Sequence, residues 1–134
     1  MSFETVAQKA IFGALNGNIS ANVYDQVPAL PEGMPDNRFP YVVVGDDTTA
    51  RWDNDSQLGA EITVTLHVWS RDKGWTEAKA ILGEIYDLLH RATLTATGYQ
   101  FLNCVQEFST TVPDAANLRH GVQRYRVIVQ KEFD

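Results

Sequence analysis

The segment Glu61–Trp69 constrains the fold more than any other part of the chain, because apolar and polar residues alternate along it. Its apolar positions are Ile62, Val64, Leu66 and Val68. Side chains of a strand point alternately to opposite faces of a sheet, so residues of one kind share a face. The segment is therefore predicted to be a strand with one buried face and one polar face, and Trp69 falls on the polar face.

The segment Trp75–His90 follows with a different period. Its apolar stripe consists of Ala78, Ile81, Leu82, Ile85, Leu88 and Leu89. This spacing predicts a helix with one apolar side. A helix and a half-buried sheet can bury each other's apolar faces, which indicates a sheet covered by helices.

The remaining elements complete one domain, residues 1–134. A first helix is predicted over Phe3–Leu15, with Ser2 as its N-cap. The further strands are Tyr41–Gly45, Phe101–Val112 and Gln123–Lys131, and Val23–Asp25 could be a short extended piece. The last two strands should form an antiparallel hairpin around a turn at residues 113–117. The predicted class is α+β: a mainly antiparallel sheet of about four strands packed by two helices, in the order helix-strand-strand-helix-strand-strand.

Two segments between these elements have distinct compositions. Residues 28–40 hold four of the five prolines and are predicted to be a loop, either a binding edge or, more simply, a connector. Residues 46–59 are rich in acids around Arg51 and Trp52, and are predicted to be an acidic hairpin or loop with a solvated tip.

Composition limits the partners. Seventeen acidic against eleven basic residues give a formal charge of −6, which disfavours a surface that grips a nucleic-acid backbone. No apolar run approaches the length of a membrane span, so no membrane partner is expected. Cys104 is the single cysteine, which fits a chain made in a reducing cytoplasm, and its expected role is that of a small buried hydrophobe.

The motifs of catalysis and cofactor binding are missing. Asp53 and Asp55 begin a partial calcium-loop pattern, but Leu58 and Val64 stand where that loop needs glycine and glutamate. The three histidines lack zinc-ligand spacing, and the glycines form no phosphate-binding loop. The sequence therefore predicts no catalytic residue, no cofactor and no metal site.

Several charged and aromatic residues remain as interface candidates: Asp46, Asp47, Arg51, Trp52, Asp53, Asp55, Trp69, Arg119, His120 and Arg124. Tryptophan is a common anchor of protein interfaces. For Trp52 the sequence leaves an anchor and a lid over its own core equally open, whereas Trp75 is predicted to be a lid. Arg119, His120, Arg124 and Arg126 are expected to lie on different faces of a solvated or interface strand.

Several segments resemble one family of proteins by their order and spacing. They are the first helix, Val23–Pro28, Phe39–Gly45, Leu66–Ser70 and Arg119–Gly121. In this order the chain resembles the tail-completion or tail-terminator proteins of long-tailed bacteriophages, which are similar in role to the tail terminator of phage lambda.

The resemblance implies a structural protein of the virion without catalytic residues, made in the host cytoplasm. Such a subunit would form a homo-oligomeric ring, as a hexamer, at the head-proximal end of the tail tube. It would stop tube polymerisation and contact both the tail tube protein and the head-tail connector protein, while genome DNA would only pass through the lumen. The alternatives are a neck or head-completion protein one ring away and, from another class, a small enzyme or ligand-binding domain.

Overall fold

The computed structural model describes residues 2–112 and 117–132, which form a six-stranded sheet with two helices on one face. The elements in chain order are α1 (Phe3–Leu15), β1 (Asn22–Tyr24), β2 (Tyr41–Arg51), β3 (Gly59–Ser70), α2 (Thr76–Leu89), β4 (Thr95–Ala96), β5 (Tyr99–Val112) and β6 (Arg119–Lys131). The two long hairpins, β2–β3 and β5–β6, are joined through antiparallel pairing of β3 with β6.

The prediction of a mainly antiparallel sheet of about four strands is wrong, although the α+β class holds. The strand order is β1-β2-β3-β6-β5-β4, and the sheet is mixed and curled like half a barrel. β1 pairs parallel with β2 over three residues, and β4 pairs with β5 over two. The possible extended piece at Val23–Asp25 overlaps β1 (Asn22–Tyr24), whereas β4 is too short to show any alternation in the sequence. Residues 93–98, predicted to be a connector, contain β4.

The strands extend beyond their predicted bounds because pairing continues through polar residues. β2 continues past Gly45 across a bulge at Asp46, whose φ of 50° is left-handed, and pairs with β3 as far as Arg51. Half of the acidic segment 46–59 is therefore strand, and only residues 52–58 form the tip. β6 likewise begins at Arg119, four residues before its predicted start.

The structure confirms the predicted positions of both helices. α1 spans Phe3–Leu15, and the Ser2 Oγ accepts a hydrogen bond of 3.1 Å from the Thr5 amide, as an N-cap does. α2 begins one residue after Trp75 and ends at Leu89.

Both helices bury their apolar stripes against the same face of the sheet, in a core that includes Tyr125, Val127 and Val129. All three are fully buried, as their alternation predicted. Cys104 is also in this core, as predicted. The opposite face of the sheet has no helix over it among the described residues.

The antiparallel hairpin of β5 and β6 is confirmed by its register from Tyr99–Lys131 to Val112–His120. The turn predicted at residues 113–117 lies largely outside the described residues. In the described part of the chain, neither helix has the length and hydrophobicity that crossing a membrane requires.

Candidate assembly surfaces

The tip of the β2–β3 hairpin is held by a dense set of local hydrogen bonds. The Asn54 Oδ1 accepts from the amides of Ser56 and Gln57, both at 2.8 Å. The Asp53 Oδ1 accepts from the Gly59 amide at 2.9 Å, while the Arg51 Nε donates to the other oxygen of the same carboxylate at 2.9 Å. Hydrogen bonding from Gly59, and secondly from Arg51, lowers the pKa of Asp53 below its ordinary value.

The tip is also joined to the end of β6. The Lys131 amide donates to the Leu58 carbonyl at 2.9 Å, and the Gln57 side chain donates to the Lys131 carbonyl at 3.2 Å. These bonds fix a tip whose apolar side chains remain in water: Trp52 is 39% exposed and Leu58 is 55% exposed. The tip thus combines a fixed backbone with exposed apolar side chains, which is the combination that a docking surface requires.

Asp46 and Asp47 do not belong to this tip. The bulge directs the Asp46 side chain across the uncovered face of the sheet, where its Oδ2 lies 2.7 Å from the Nε2 of His67. Asp47 pairs with Val64, on the helix side of the sheet, and is exposed. Asp55 is exposed at the tip. The structure therefore brings Arg51, Asp53 and Asp55 into one hairpin end and separates Asp46 from them.

A polar chain crosses three strands at the other end of the sheet. Beyond its contact with Asp46, the His67 ring places its Nδ1 2.9 Å from the Nε2 of His120. The His120 ring stacks on Trp69 with centroids 3.9 Å apart and planes 8° apart. In each short contact one atom must donate and the other accept, so the tautomers of the two rings depend on each other. All of these side chains lie on the uncovered face of the sheet.

The prediction that alternation separates the basic residues of β6 is wrong for most of them. His120, Arg124 and Arg126 pair with residues on the polar face of β3 and therefore share the uncovered face; only Arg119 points to the helix side. The Arg124 guanidinium lies 4.6 Å from the centroid of the Phe108 ring. His120, Arg124 and Arg126 are all at even-numbered positions, and alternate positions of a strand share a face, so the sequence already indicated that these three residues lie together.

Arg126 and Arg119 have partners of different kinds. Arg126 lies 4.0 Å from Glu61 and 3.9 Å from Glu107, which balance its charge on the uncovered face. On the helix side, Arg119 lies over the half-buried ring of Trp75, with 5.5 Å to its centroid. This contact places Trp75 against the body of the protein at the start of α2.

The cavities of the described residues show no convergent chemistry. The groove of about 620 Å³ beside α2 and β5 contains Lys79 and Asp87 as its charged side chains. No three His, Cys, Asp or Glu side chains within residues 2–112 and 117–132 are placed to hold a metal ion. Burial raises the pKa of the Cys104 thiol to about 11, so that it stays protonated and unreactive at neutral pH.

The comparisons with known proteins decide the family. Residues 4–130 match the sequence model of the family described as tail completion protein gp17. The chain belongs to this family. It is 28% identical over 97 residues to the tail completion protein gp17 of Bacillus phage SPP1, covering 70% of each chain. The resemblance seen in the sequence is thereby confirmed, and so are its function in tail completion and its place in the virion.

A solved structure shares the fold. A chain from the virion of a native gene transfer agent particle superposes with a TM-score of 0.81 and 22% sequence identity. The match covers 96% of this chain and 99% of the other, so the curled sheet and both helices are shared almost entirely. The family is one of structural tail proteins.

Proposed function

We propose that this tail completion protein forms a ring of six copies on the head-proximal end of the tail tube. One face of the ring contacts the last ring of tail tube protein, and the other face contacts the head-tail connector protein. The ring stops tube polymerisation because its outer face offers no site for another tube ring. The protein acts by shape and surface charge, without catalysis or a cofactor.

The observation that carries this proposal is the rigid, apolar hairpin tip. Trp52 and Leu58 are exposed on a backbone that is fixed by hydrogen bonds to β6. A fixed surface loses little conformational entropy on docking, and a partially exposed tryptophan gains much from burial. We therefore assign the tip, with Arg51, Asp53 and Asp55 around it, to a contact with a neighbouring tail protein.

The two ends of the sheet differ, as termination requires. The tip end carries exposed apolar side chains between acidic ones, whereas the other end carries the stack of His67, His120 and Trp69 with Arg119 behind it. Along β3 these ends are separated by roughly 30 Å of strand. A ring with different faces can accept a tube on one side and a connector on the other.

Substitution of Trp52 tests the assignment of the tip. Trp52→Ala is expected to leave the folded subunit intact but to produce tails of irregular length or tails that do not join heads, whereas Trp52→Tyr should preserve function. Leu30→Ala is the matched control, because Leu30 has a similar exposure of 38% in the proline-rich loop. Normal virions from Trp52→Ala, with tube protein still bound, would contradict the role of the tip.

The charge of −6 supports a second part of the proposal, that acidic side chains line the lumen. A negative lumen repels the phosphate backbone, so the genome passes without being held. Purified protein should bind duplex DNA neither tightly nor with a steep salt dependence. Copurification with portal or connector protein in place of tube protein would move the subunit to the neck.

A further inference from the structure

The border of the sheet formed by β2 is only partly covered. β1 pairs with Tyr41–Val43, at the beginning of β2. From Asp47 to Arg51, β2 has β3 on one side, and no other described strand lies on its outer side. All five residues are exposed, so this half of the edge faces water.

The opposite border, formed by β5, has an open half of similar length. β4 pairs with Tyr99 and Gln100 only. Further along β5, the turn after α2 makes two hydrogen bonds with the edge. The Arg91 amide donates to the Cys104 carbonyl at 2.7 Å, and the Gln106 amide donates to the Nδ1 of His90 at 3.1 Å. From Phe108 to Val112, no described strand lies on the outer side of β5.

The two open halves are protected mainly at their ends. Natural edge strands are blunted by extreme shortness, by charged side chains, by proline or by bulges. Here Asp47 and Arg51 carry charges, and bulges lie at Gly45/Asp47 and Gln106/Phe108. Asp47–Arg51 and Phe108–Val112 contain neither proline nor lysine, and each has two threonines, which favour strands. Two stretches of five residues each, open between these ends and on opposite borders of one sheet, are suited to pair with each other in different copies.

The strand directions permit this pairing. Each step from β2 to β3, from β3 to β6 and from β6 to β5 is antiparallel, so β2 and β5 run in opposite directions. Rotation about the ring axis places a neighbouring copy beside the sheet without reversing the direction of its strands. Its β5 would therefore meet β2 in the antiparallel sense, as a heterologous contact that can repeat around a ring.

The offset between the two open halves matches a closed barrel-like ring. Thr49 is level with Cys104 on β5, whereas the open half of β5 is centred on Thr110. The residues there that share the face of Thr49 are Ser109 and Thr111, whose partners Gln123 and Gly121 lie four and six positions from the partner of Cys104. Four to six positions correspond to about 14–20 Å along a strand, and the width of one copy from β2 to the next β2 is about 19 Å. Strands would then tilt by about 35–47° to the ring axis, and closed barrels tilt by about 35–45°.

We propose that neighbouring copies of the ring join by antiparallel pairing of Asp47–Arg51 of one copy with Phe108–Val112 of the next, forming one continuous sheet. This inference rests on the ring of the proposed function and specifies the contact within it. At about 25 Å of circumference per copy, six copies would give a sheet with a mean diameter of about 50 Å.

Cysteine pairs test the contact in assembled tails. Opposite residues of a continuous sheet share a face, and Ala50 and Thr110 both lie on the uncovered face because they pair with Glu61 and Val122. Ala50→Cys combined with cysteine at Phe108, Thr110 or Val112 covers the registers that this face allows. One combination should give disulfide-linked ladders of subunits after mild oxidation, since disulfides need Cβ atoms about 3.5–4.5 Å apart.

Thr49→Cys with Thr110→Cys is the matched control, because Thr49 pairs with Ile62 on the helix side and should not reach Thr110. The native Cys104 is buried and remains outside the reaction. Rings seen by negative stain without any same-face cross-link would overturn the edge pairing but leave the proposed function standing. Equal cross-linking of the control would also overturn it. Absence of rings on capped tails would refute the proposed function itself.

Discussion

Removal of one hydroxyl group tests the buried polar chain that runs from Tyr125 through Gln123 of β6 to α2. Tyr125 is fully buried, and its hydroxyl donates to the Gln123 Oε1 at 2.9 Å. The Gln123 side chain in turn donates to the carbonyl of Leu82 in α2, also at 2.9 Å. Tyr125→Phe keeps the ring and deletes only the hydroxyl, so it isolates this polar chain.

The expected loss of stability follows from the burial of the partner. Gln123 is 2% exposed, and its oxygen would lose the described protein donor. A buried acceptor left unsatisfied costs about 1–3 kcal/mol. For a chain of this size each kcal/mol corresponds to about 3–5 °C in Tm. Replacing both partners by apolar groups of similar shape removes this penalty, so Tyr125→Phe with Gln123→Met should lose less than the sum of the single variants.

Urea denaturation of the wild type, both single variants and the double variant measures the coupling between the two side chains. The m-value should stay unchanged, which shows that the same surface unfolds. A Tyr125→Phe variant as stable as the wild type, or strictly additive single effects, would refute the reasoning that the Tyr125 hydroxyl satisfies a buried acceptor on Gln123.

Two further predictions follow from single residues. Burial raises the pKa of the Cys104 thiol from 9.0 to about 11, so between these pH values the native thiol keeps a proton that the unfolded chain releases. The contribution of this thiol to the free energy of unfolding should therefore be complete below pH 9 and fall between pH 9 and 11. In denaturation curves recorded over a pH series, Cys104→Ala should flatten this part of the stability profile. A Cβ added at Gly59 would lie 2.5 Å from the carbonyl oxygen of Trp52, a backbone atom. Gly59→Ala should therefore lower the free energy of unfolding by about 1–3 kcal/mol, whereas Gly74→Ala, with no atom within 4 Å, should change it little by the same measurement.

The parts of the fold that could be predicted from sequence are those with a long local pattern. The helix Phe3–Leu15 combines an N-cap with a repeating apolar stripe, and its bounds are correct. The alternation in Glu61–Trp69 placed Trp69 on the polar face, where the structure has it stacked on His120. Short edge strands have no such pattern, since two or three residues are positioned by the loops and strands around them.

The contacts of the uncovered face depend on register, which a single strand does not encode. Nothing in the sequence near His67 indicates that His120 lies 2.9 Å away, because that distance is set by the pairing of β3 with β6 over twelve positions. The bulge at Asp46 likewise separates two adjacent acids that composition treats as one cluster. The sequence thus indicated which residues were unusual, and the register decided which of them act together.

Each copy has a complete core but two open sheet edges, and this difference bears on when the proposed ring assembles. Two helices close one face of the sheet, so we expect a single copy to fold without a neighbour, with its open edge exposed to water. A five-residue edge contact adds a few hydrogen bonds of about 1 kcal/mol each, which is less than the cost of about 4–15 kcal/mol for bringing two free proteins together. Copies held side by side on a tube end avoid most of that cost, because the second contact becomes intramolecular. For the proposed ring, we therefore expect closure where a finished tube presents several docking sites at once, and no caps from free subunits in solution.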